Sequence, residues 1–366
     1  MRKFSKRYAA GWLLSAGLAF SASADEPRVL NIYNWADYIG PSTIADFEAE
    51  TGIRVNYDTY ASAEMVEAKL LTGSTGYDVV FHSADYAARL IPLGVFLPLD
   101  RSKISNWRDL DPAVMRTMAG YDPGNRYSIP YMWGSTGFAY DVERILERMP
   151  DAPLGSAAMM FDPEVVSKFA DCGVSFLDGG SDVISMVLLY LGEDPDSVDP
   201  ALLAKAEKAL GSVRSHIRYY SSARMLLDLP NREICLAMSW SGDYATARMR
   251  AAEAGVDVEL AYTVPSEGSL FWCDGIFIPA DAPHPEDAHR FIDFILRPRV
   301  IAAITNAVNY SNAVLTAREY VDPAVLADPA VYMTPEILER LAITHTHPPK
   351  LLRLRTRAWA RAKSGL

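Results

Sequence analysis

The stretch VLNIYNWADYIGPSTIADFEAETGIRVNYDTYASAEMVEAKLLTGSTGYDVVF, residues 29–81, decides the fold. Its patterns are typical of strand, helix, strand, helix and strand, at residues 29–33, 41–50, 53–57, 62–71 and 77–81. Pro41 suits the first turn of a helix, and Gly52 and Gly73 suit helix ends. This alternation predicts an α/β fold whose parallel sheet is covered by helices.

The same alternation returns further along the chain. Strand patterns stand at 172–177, 234–240 and 275–279, and helix patterns at 181–191, 201–217 and 285–296. We therefore predict two α/β lobes, and we assign residues 25–137 plus 260–305 to lobe 1 and 138–259 plus 306–366 to lobe 2. Ordered segments at 133–140 and 260–270 are expected to cross between the lobes. In such sheets ligands bind beyond the carboxyl ends of the strands, which predicts a ligand cleft between the lobes.

The first 24 residues have the order of a secretory signal peptide. Four basic residues precede an apolar run at 9–20, and the small residues Ala22, Ser23 and Ala24 follow it. The alternative is a membrane anchor, but the run is shorter than the ~20 residues that span a bilayer. Since no cysteine stands at the predicted cut, we expect an exported chain that begins near Asp25 and carries no lipid there.

The composition is acidic, with 46 Asp and Glu against 35 Lys and Arg and a formal net charge of −11. Removal of the leader takes away only basic residues, so the mature chain is more acidic still. Such a chain repels nucleic acid and anionic lipid and attracts cations. Three cysteines in an oxidising compartment imply one pair and one remaining thiol, with three buried thiols as the alternative.

Aromatic and acidic side chains follow the predicted strands at several places. They are Trp35, Asp37, Tyr38, Ser83, Asp85, Tyr86, Trp240, Asp243, Trp272, Asp274 and Tyr310. A dicationic alkylamine needs such a set, because each ammonium requires carboxylate or carbonyl acceptors and the methylene chain requires flat apolar faces. The alternatives are that each Trp packs in the core and that Asp37 and Asp243 are helix N-caps. Convergence of these residues in one cleft favours a polyamine site.

Longer segments resemble the periplasmic polyamine-binding proteins of ABC importers. The resemblance is carried by NIYNWADYIGP (31–41), FEAETGIRVNYD (47–58), IPLGVFLPLD (91–100), IPYMWGSTGFAYD (129–141), CGVSFLD (172–178), ICLAMSWSGDY (234–244) and RTRAWARAKSG (355–365). It covers almost the whole mature chain, with the putrescine-binding members most similar. It implies a type II periplasmic binding-protein fold with a polyamine in the cleft.

The resemblance also implies positions for the site and the disulfide. The aromatic box of the family falls on Trp35, Tyr38, Trp240, Trp272 and Tyr310, and its polar partners on Asp37, Ser83, Asp182, Ser222, Asp243 and Asp274. Its disulfide falls on Cys172 and Cys235, which leaves Cys273 unpaired. Three departures from the putrescine-binding members stand out: Ala36 replaces a serine, Trp272 a phenylalanine, and Asp85 a small hydroxyl residue.

Other functions find less support. Segments 73–76 and 134–137 match neither a phosphate-binding loop nor a nucleophile elbow and are typical of turns. His345, His347 and Cys273 fit no strong metal signature, and His82 is expected to pack or to lie at the edge of the cleft. An amino-acid binder would need an arginine in the cleft, and a ferric binder would use clustered tyrosines.

We therefore expect a monomeric binding protein without cofactor, metal or catalysis that delivers putrescine or spermidine to an ABC permease. The alternatives left open are a binding protein for another cationic solute and a polyamine-sensing receptor subunit.

Overall fold

A computed structural model describes residues 28–60, 63–345 and 347–365, so the predicted signal peptide lies outside the described residues. The strands are β1 (Val29–Trp35), β2 (Arg54–Tyr60), β3 (Val79–Ser83), β4 (Ser128–Asp141), β5 (Val174–Phe176), β6 (Ile217–Tyr220), β7 (Leu236–Trp240), β8 (Leu260–Thr263), β9 (Ser269–Phe277), β10 (Ser311–Asn312) and β11 (Leu341–Ile343). The predicted α/β class is confirmed.

Helices cover these strands. They are α1 (Thr43–Thr51), α2 (Ala63–Leu71), α3 (Ala84–Leu90), α4 (Pro112–Tyr121), α5 (Val142–Arg148), α6 (Ala158–Phe161), α7 (Pro163–Val166), α8 (Gly180–Tyr190), α9 (Pro200–Val213), α10 (Met225–Asp228), α11 (Ser241–Glu253), α12 (Pro285–Ile295), α13 (Pro298–Val308), α14 (Pro323–Leu326), α15 (Pro335–Leu338) and α16 (Pro349–Ser364). Within the described ranges, no helix combines the length and the apolar character that a membrane span needs.

The opening stretch folds as its pattern predicts. β1 pairs in parallel with both β2 and β3, from Val29 opposite Arg54 to Trp35 opposite Tyr60 on the β2 side. α1 ends at Gly52, whose φ of 70° is left-handed and whose backbone N–H donates to the Glu48 carbonyl. The sheet therefore ends β1 and β3 at the same edge.

One long strand joins the two halves of the sheet. The strand order is β2-β1-β3-β9-β4-β7-β5-β6, with β8 and β10 also on β4 and β11 on β9. The first part of β4 (128–135) is antiparallel to β9, and the second part (136–141) is antiparallel to β7 and β8. All 14 residues of β4 are buried. β4 is therefore common to both halves.

Each half of the sheet has its own apolar core. Leu30, Phe81 and Phe291 belong to the first core, whereas Phe176 and Leu210 belong to the second. Each core packs between a sheet and its covering helices, which is the layer arrangement expected of an α/β protein. Trp240 packs against both cores, so the last residue of β7 lies where the halves meet.

The core membership bears on the predicted lobe boundaries, which stay a prediction. Val308, Val314 and Met333 belong to the first core, whereas Ala358 and Trp359 of α16 belong to the second. Residues 306–333 were assigned to lobe 2, but their apolar side chains are buried with β1 and α12. We propose that this segment goes with lobe 1 and that α16 remains with lobe 2.

The disulfide links residues on either side of β5. Cys172 and Cys235 are bonded with their Cα atoms 5.5 Å apart, which confirms the pairing implied by the resemblance. Cys273, on β9, is a buried free thiol. Burial raises the pKa of this thiol well above its ordinary value, so it is an unreactive core residue.

Candidate ligand-binding site

Three aromatic rings form the centre of the candidate site. The ring of Tyr310 meets Tyr38 edge to face at 5.5 Å and Trp272 at 5.1 Å between centroids. Tyr38 follows β1, Trp272 lies on β9, and Tyr310 lies between α13 and β10. Tyr38 and Tyr310 are 7% and 6% exposed. Residues far apart in sequence therefore share one aromatic cluster.

The backbone leaves room for these rings at two glycines. A Cβ atom at Gly242 would lie 2.5 Å from the Tyr310 ring, and one at Gly134 would lie 2.6 Å from the Trp272 ring. Any larger residue would displace the ring. Segment 134–137 was predicted to be a turn, but it lies within buried β4, so that prediction is wrong. Its small residues serve close approach of a ring to the backbone.

Asp243 lies against one side of the aromatic cluster. The Tyr310 hydroxyl donates to Asp243 Oδ1 at 2.6 Å and accepts from the Asp243 backbone N–H at 3.1 Å. Burial raises the pKa of Asp243 to about 6, although the bond from Tyr310 and the charge of Arg250 act in the opposite direction. The N-cap of α11 is Trp240 and has no side-chain cap bond, so the N-cap alternative for Asp243 is wrong.

Asp182 lies at the junction of the two halves. It stands in the first turn of α8, and its Oδ2 accepts from Trp240 Nε1 at 3.0 Å and from Thr136 Oγ1 at 3.4 Å. Burial raises the pKa of Asp182 to about 6, and the negative charge of Asp85 contributes in the same direction. Trp240 therefore both walls the site and orients an acid.

Asp274 and Asp85 stand near the end of β3. Ser83, the last residue of β3, lies opposite Asp274 in the antiparallel pairing with β9, and the Ser83 hydroxyl donates to Asp85 Oδ1 at 2.7 Å. Asp274 is 7% exposed. Burial raises its pKa to about 7, opposed by Tyr38 and Trp35 and increased by the charge of Asp85. Burial also raises the pKa of Asp85.

Several polar groups around these acids are incompletely bonded. Tyr38 Oη, Trp35 Nε1 and Trp272 Nε1 are buried and have no hydrogen-bond partner of normal geometry, although Tyr38 and Trp35 lie close enough to Asp274 to lower its pKa. Such groups are rare in finished interiors. Their clustering is typical of a site that a ligand or water completes.

Negative charge is in excess here. Among the described residues, no Lys or Arg forms an ion pair with Asp182, Asp243 or Asp274. Nearby arginines are held elsewhere, since Arg89 pairs with Glu67 at 2.9 Å. Buried carboxylates without counter-ions are costly, and the raised pKa values are the direct consequence. A cation of apolar body is the ligand that this chemistry suits.

The structure keeps two predicted residues away from this cluster. Asp37 has a left-handed φ of 54° and an 83% exposed side chain, 3.9 Å from Arg250 of α11. It is not the N-cap of α1, which is Ser42. The Ser222 hydroxyl accepts from the Asp178 backbone N–H at 3.2 Å. Binding roles for both stay predictions.

Sequence reasoning missed Tyr262 and Thr136. The Tyr262 hydroxyl donates to the Ser135 carbonyl at 2.9 Å and lies 3.0 Å from Ser135 Oγ. The charge of Asp243 contributes to its raised pKa, so Tyr262 borders the site. No local pattern marks it, because its position depends on the pairing of β8 with β4.

The histidines take no part in this site. His82 is fully buried, and burial lowers its pKa to about 3. His345 Nδ1 lies 2.7 Å from Asp196 Oδ2 on the surface. Within the described residues, no group of His, Cys, Asp and Glu side chains is arranged to hold a metal ion.

A buried acidic and aromatic site, placed where two halves of an α/β sheet share a strand, defines a binding protein for a small solute. The sequence model of the bacterial extracellular solute-binding proteins matches residues 42–334, and the chain belongs to that family.

Full-length relatives agree with this assignment. The chain is 40% identical to the putrescine-binding periplasmic protein PotF of Escherichia coli (strain K12), over 100% of both chains. It is also 40% identical to the putrescine-binding periplasmic protein SpuD of Pseudomonas aeruginosa (strain UCBPP-PA14), again over 100% of both.

A solved structure matches the fold. The spermidine/putrescine ABC transporter substrate-binding protein PotD from Streptococcus pneumoniae is 26% identical, with a TM-score of 0.77 over 92% of this chain and 99% of that chain. The predicted fold, a type II binding protein with two α/β lobes, is confirmed.

Proposed function

We propose that this protein captures a polyamine, putrescine or spermidine, outside the cytoplasmic membrane and delivers it to the permease of an ABC importer. One observation carries the proposal: Asp182, Asp243 and Asp274 are buried around aromatic rings and have no basic partner. A neutral or anionic solute would leave this charge unbalanced.

Each part of a polyamine has a matching surface. Ammonium groups replace their hydration by charge-assisted hydrogen bonds to the carboxylates. The methylene segments pack on Tyr38, Trp272 and Tyr310, whose faces have the shape and polarity for an alkyl chain. A ring beside an ammonium adds cation–π attraction of ~1 to 2 kcal/mol. Binding therefore needs no cofactor and no covalent step.

Movement of the lobes would control access to the site. β4 and β9 connect the two halves, and the site residues come from both, with Asp274 on β9 and Asp182 and Asp243 on α8 and α11. Closure about such connections desolvates the ligand and assembles its partners. The acidic surface raises the local concentration of cations before closure. The closed form is then the one that a permease recognises.

The names of the relatives support the location and the partner. PotF and SpuD are named periplasmic putrescine-binding proteins, and the S. pneumoniae protein is named as the substrate-binding protein of an ABC transporter. We infer the same for this chain, with residues 1–24 as the export signal and the protein acting as a monomer.

Calorimetric titration of the purified protein with putrescine, cadaverine, agmatine, spermidine and spermine tests the proposal, with γ-aminobutyrate and glutamate as anion-bearing controls. We expect saturable one-to-one binding of at least putrescine or spermidine and none of glutamate. Binding of the amino acids alone would overturn the proposal. Uptake of labelled polyamine by cells lacking the protein separates a transport role from a receptor role, because only the former reduces uptake.

A further inference from the structure

We propose that Asp85 makes this protein select a triamine such as spermidine over a diamine such as putrescine. The inference rests on the proposed function and concerns the distribution of charge inside the same site. We call Asp85, Asp182 and Asp274 the acidic end and Asp243 the opposite end.

Geometry brings Asp85 to the acidic end. Asp85 is the second residue of α3, which begins directly after Ser83. Ser83 binds Asp85 through its hydroxyl at 2.7 Å and faces Asp274 across the β3–β9 pair. A side chain fixed by a residue two positions earlier, at a strand end, has little freedom to leave the site.

Electrostatics separates the two ends. The charge of Asp85 acts on both Asp182 and Asp274 and raises the pKa of each. Asp243 responds instead to Tyr310 and Arg250. Three carboxylates are thus close enough to repel one another, while the fourth interacts with a phenol.

The protein's own cations leave this imbalance in place. The Arg89 guanidinium, nearest along α3, pairs with Glu67 and stacks on the Tyr86 ring at 4.4 Å. Arg355, beside α8, donates to the backbone carbonyls of Pro195 and Ser197 at 2.9 Å each. Both are engaged elsewhere, so a ligand must supply most of the charge at the acidic end.

A count of ligand charges then decides between polyamines. A diamine that places one ammonium at Asp243 has only one left for three carboxylates. A triamine has two, and in spermidine the aminopropyl end holds two ammonium groups separated by three methylenes. That pair matches a cluster of carboxylates better than a single charge does. Without Asp85, two carboxylates remain, and the advantage of the third charge falls.

The test is calorimetric titration of the wild-type protein and the Asp85→Ser and Asp85→Asn variants with putrescine and spermidine. We expect the wild type to bind spermidine more tightly, and both variants to lose about tenfold or more in spermidine affinity. Putrescine affinity should change less than about threefold, so the preference falls. Asp46→Ser, which removes an exposed acid of α1, is the charge-matched control and should leave both affinities unchanged.

Each other outcome has a defined meaning. Equal losses for both ligands, or an unchanged ratio, would overturn the role of Asp85 while polyamine binding by the wild type still supported the proposed function. A wild type that binds neither polyamine would defeat the proposed function itself. The thermal midpoint of each ligand-free variant verifies folding, and Asp85→Asn keeps the side-chain shape if Asp85→Ser fails to fold.

Discussion

The two ends of the site hold their acids in different ways. At the opposite end, Asp243 and Tyr310 exchange two hydrogen bonds, and that geometry exists before any ligand arrives. At the acidic end, Asp182 and Asp274 have mainly neutral donors nearby and the charge of Asp85 beside them. One end is therefore built as a fixed ammonium acceptor, whereas the other stores repulsion that a cation relieves.

This contrast implies that the two ends contribute differently to binding. A preorganised acceptor lowers the cost of ordering and fixes the ligand's position. A repelling cluster destabilises the empty protein, since buried carboxylates resist ionisation, and it gains most when charge is neutralised. We expect the first to govern affinity for all polyamines and the second to govern preference and pH dependence.

The largest expected effect comes from Asp243→Asn. The variant keeps the shape and the hydrogen bond with Tyr310 but removes the charge, and we expect a loss of about 2 to 5 kcal/mol for putrescine and spermidine alike, the range for truncating a buried charge pair. Calorimetry measures it, with Asp46→Asn on the exposed face of α1 as the matched control. Unchanged affinity would show that the ligand lies elsewhere.

Acid pH should weaken binding by a smaller amount, and through the acidic end. In the ligand-free protein the pKa of Asp274 is about 7, so this carboxyl is protonated at pH 6 and must lose its proton when an ammonium binds. Affinity should therefore fall by roughly tenfold between pH 8 and pH 6, or ~1.4 kcal/mol, from this group alone. Titrations in buffers of different ionisation enthalpy should reveal proton release. Affinity that is independent of pH over this interval would contradict the assignment.

Stability of the ligand-free protein should follow the opposite trend at this residue. A carboxyl whose pKa is raised in the folded state destabilises the protein at high pH, and the penalty disappears as pH falls through about 7. His82 opposes this below its ordinary pKa of 6.5, because burial lowers its pKa to about 3. The Asp274→Asn variant isolates the carboxyl, since only the wild type should gain from Asp274 on acidification.

The sequence was sufficient for the local elements because their signals are local. Alternating apolar residues and glycine stops predicted β1, α1 and β2 to within a few residues, and the acids at strand ends pointed to the right edge of the sheet. The misread segment 134–137 is instructive: two glycines suggested a turn, but Gly134 is small because Trp272 lies on it.

Contacts between distant segments could not be predicted in the same way. Tyr262 reaches the site only because β8 pairs with β4, and Asp37 turns outward because its backbone is left-handed. Both facts depend on tertiary pairing or on a single dihedral angle. The resemblance to the family supplied Asp182, whose place beside Trp240 joins α8 to β7, and no pattern in the chain around it predicts that contact.

The smallest expected effect is also the most specific to the preorganised end. Tyr310→Phe keeps the ring that meets Tyr38 and Trp272 but removes the hydroxyl that donates to Asp243. We expect a loss of about 1 kcal/mol in affinity, the net value of one hydrogen bond, and a further rise in the pKa of Asp243, because that bond lowers it. Calorimetry at pH 8 and pH 6 measures both, since a higher pKa at Asp243 makes the variant more sensitive to acid than the wild type. If instead Tyr310→Phe bound as tightly as the wild type at both pH values, Asp243 would be positioned by its helix alone, and the contrast between the two ends would rest on charge and not on preorganisation.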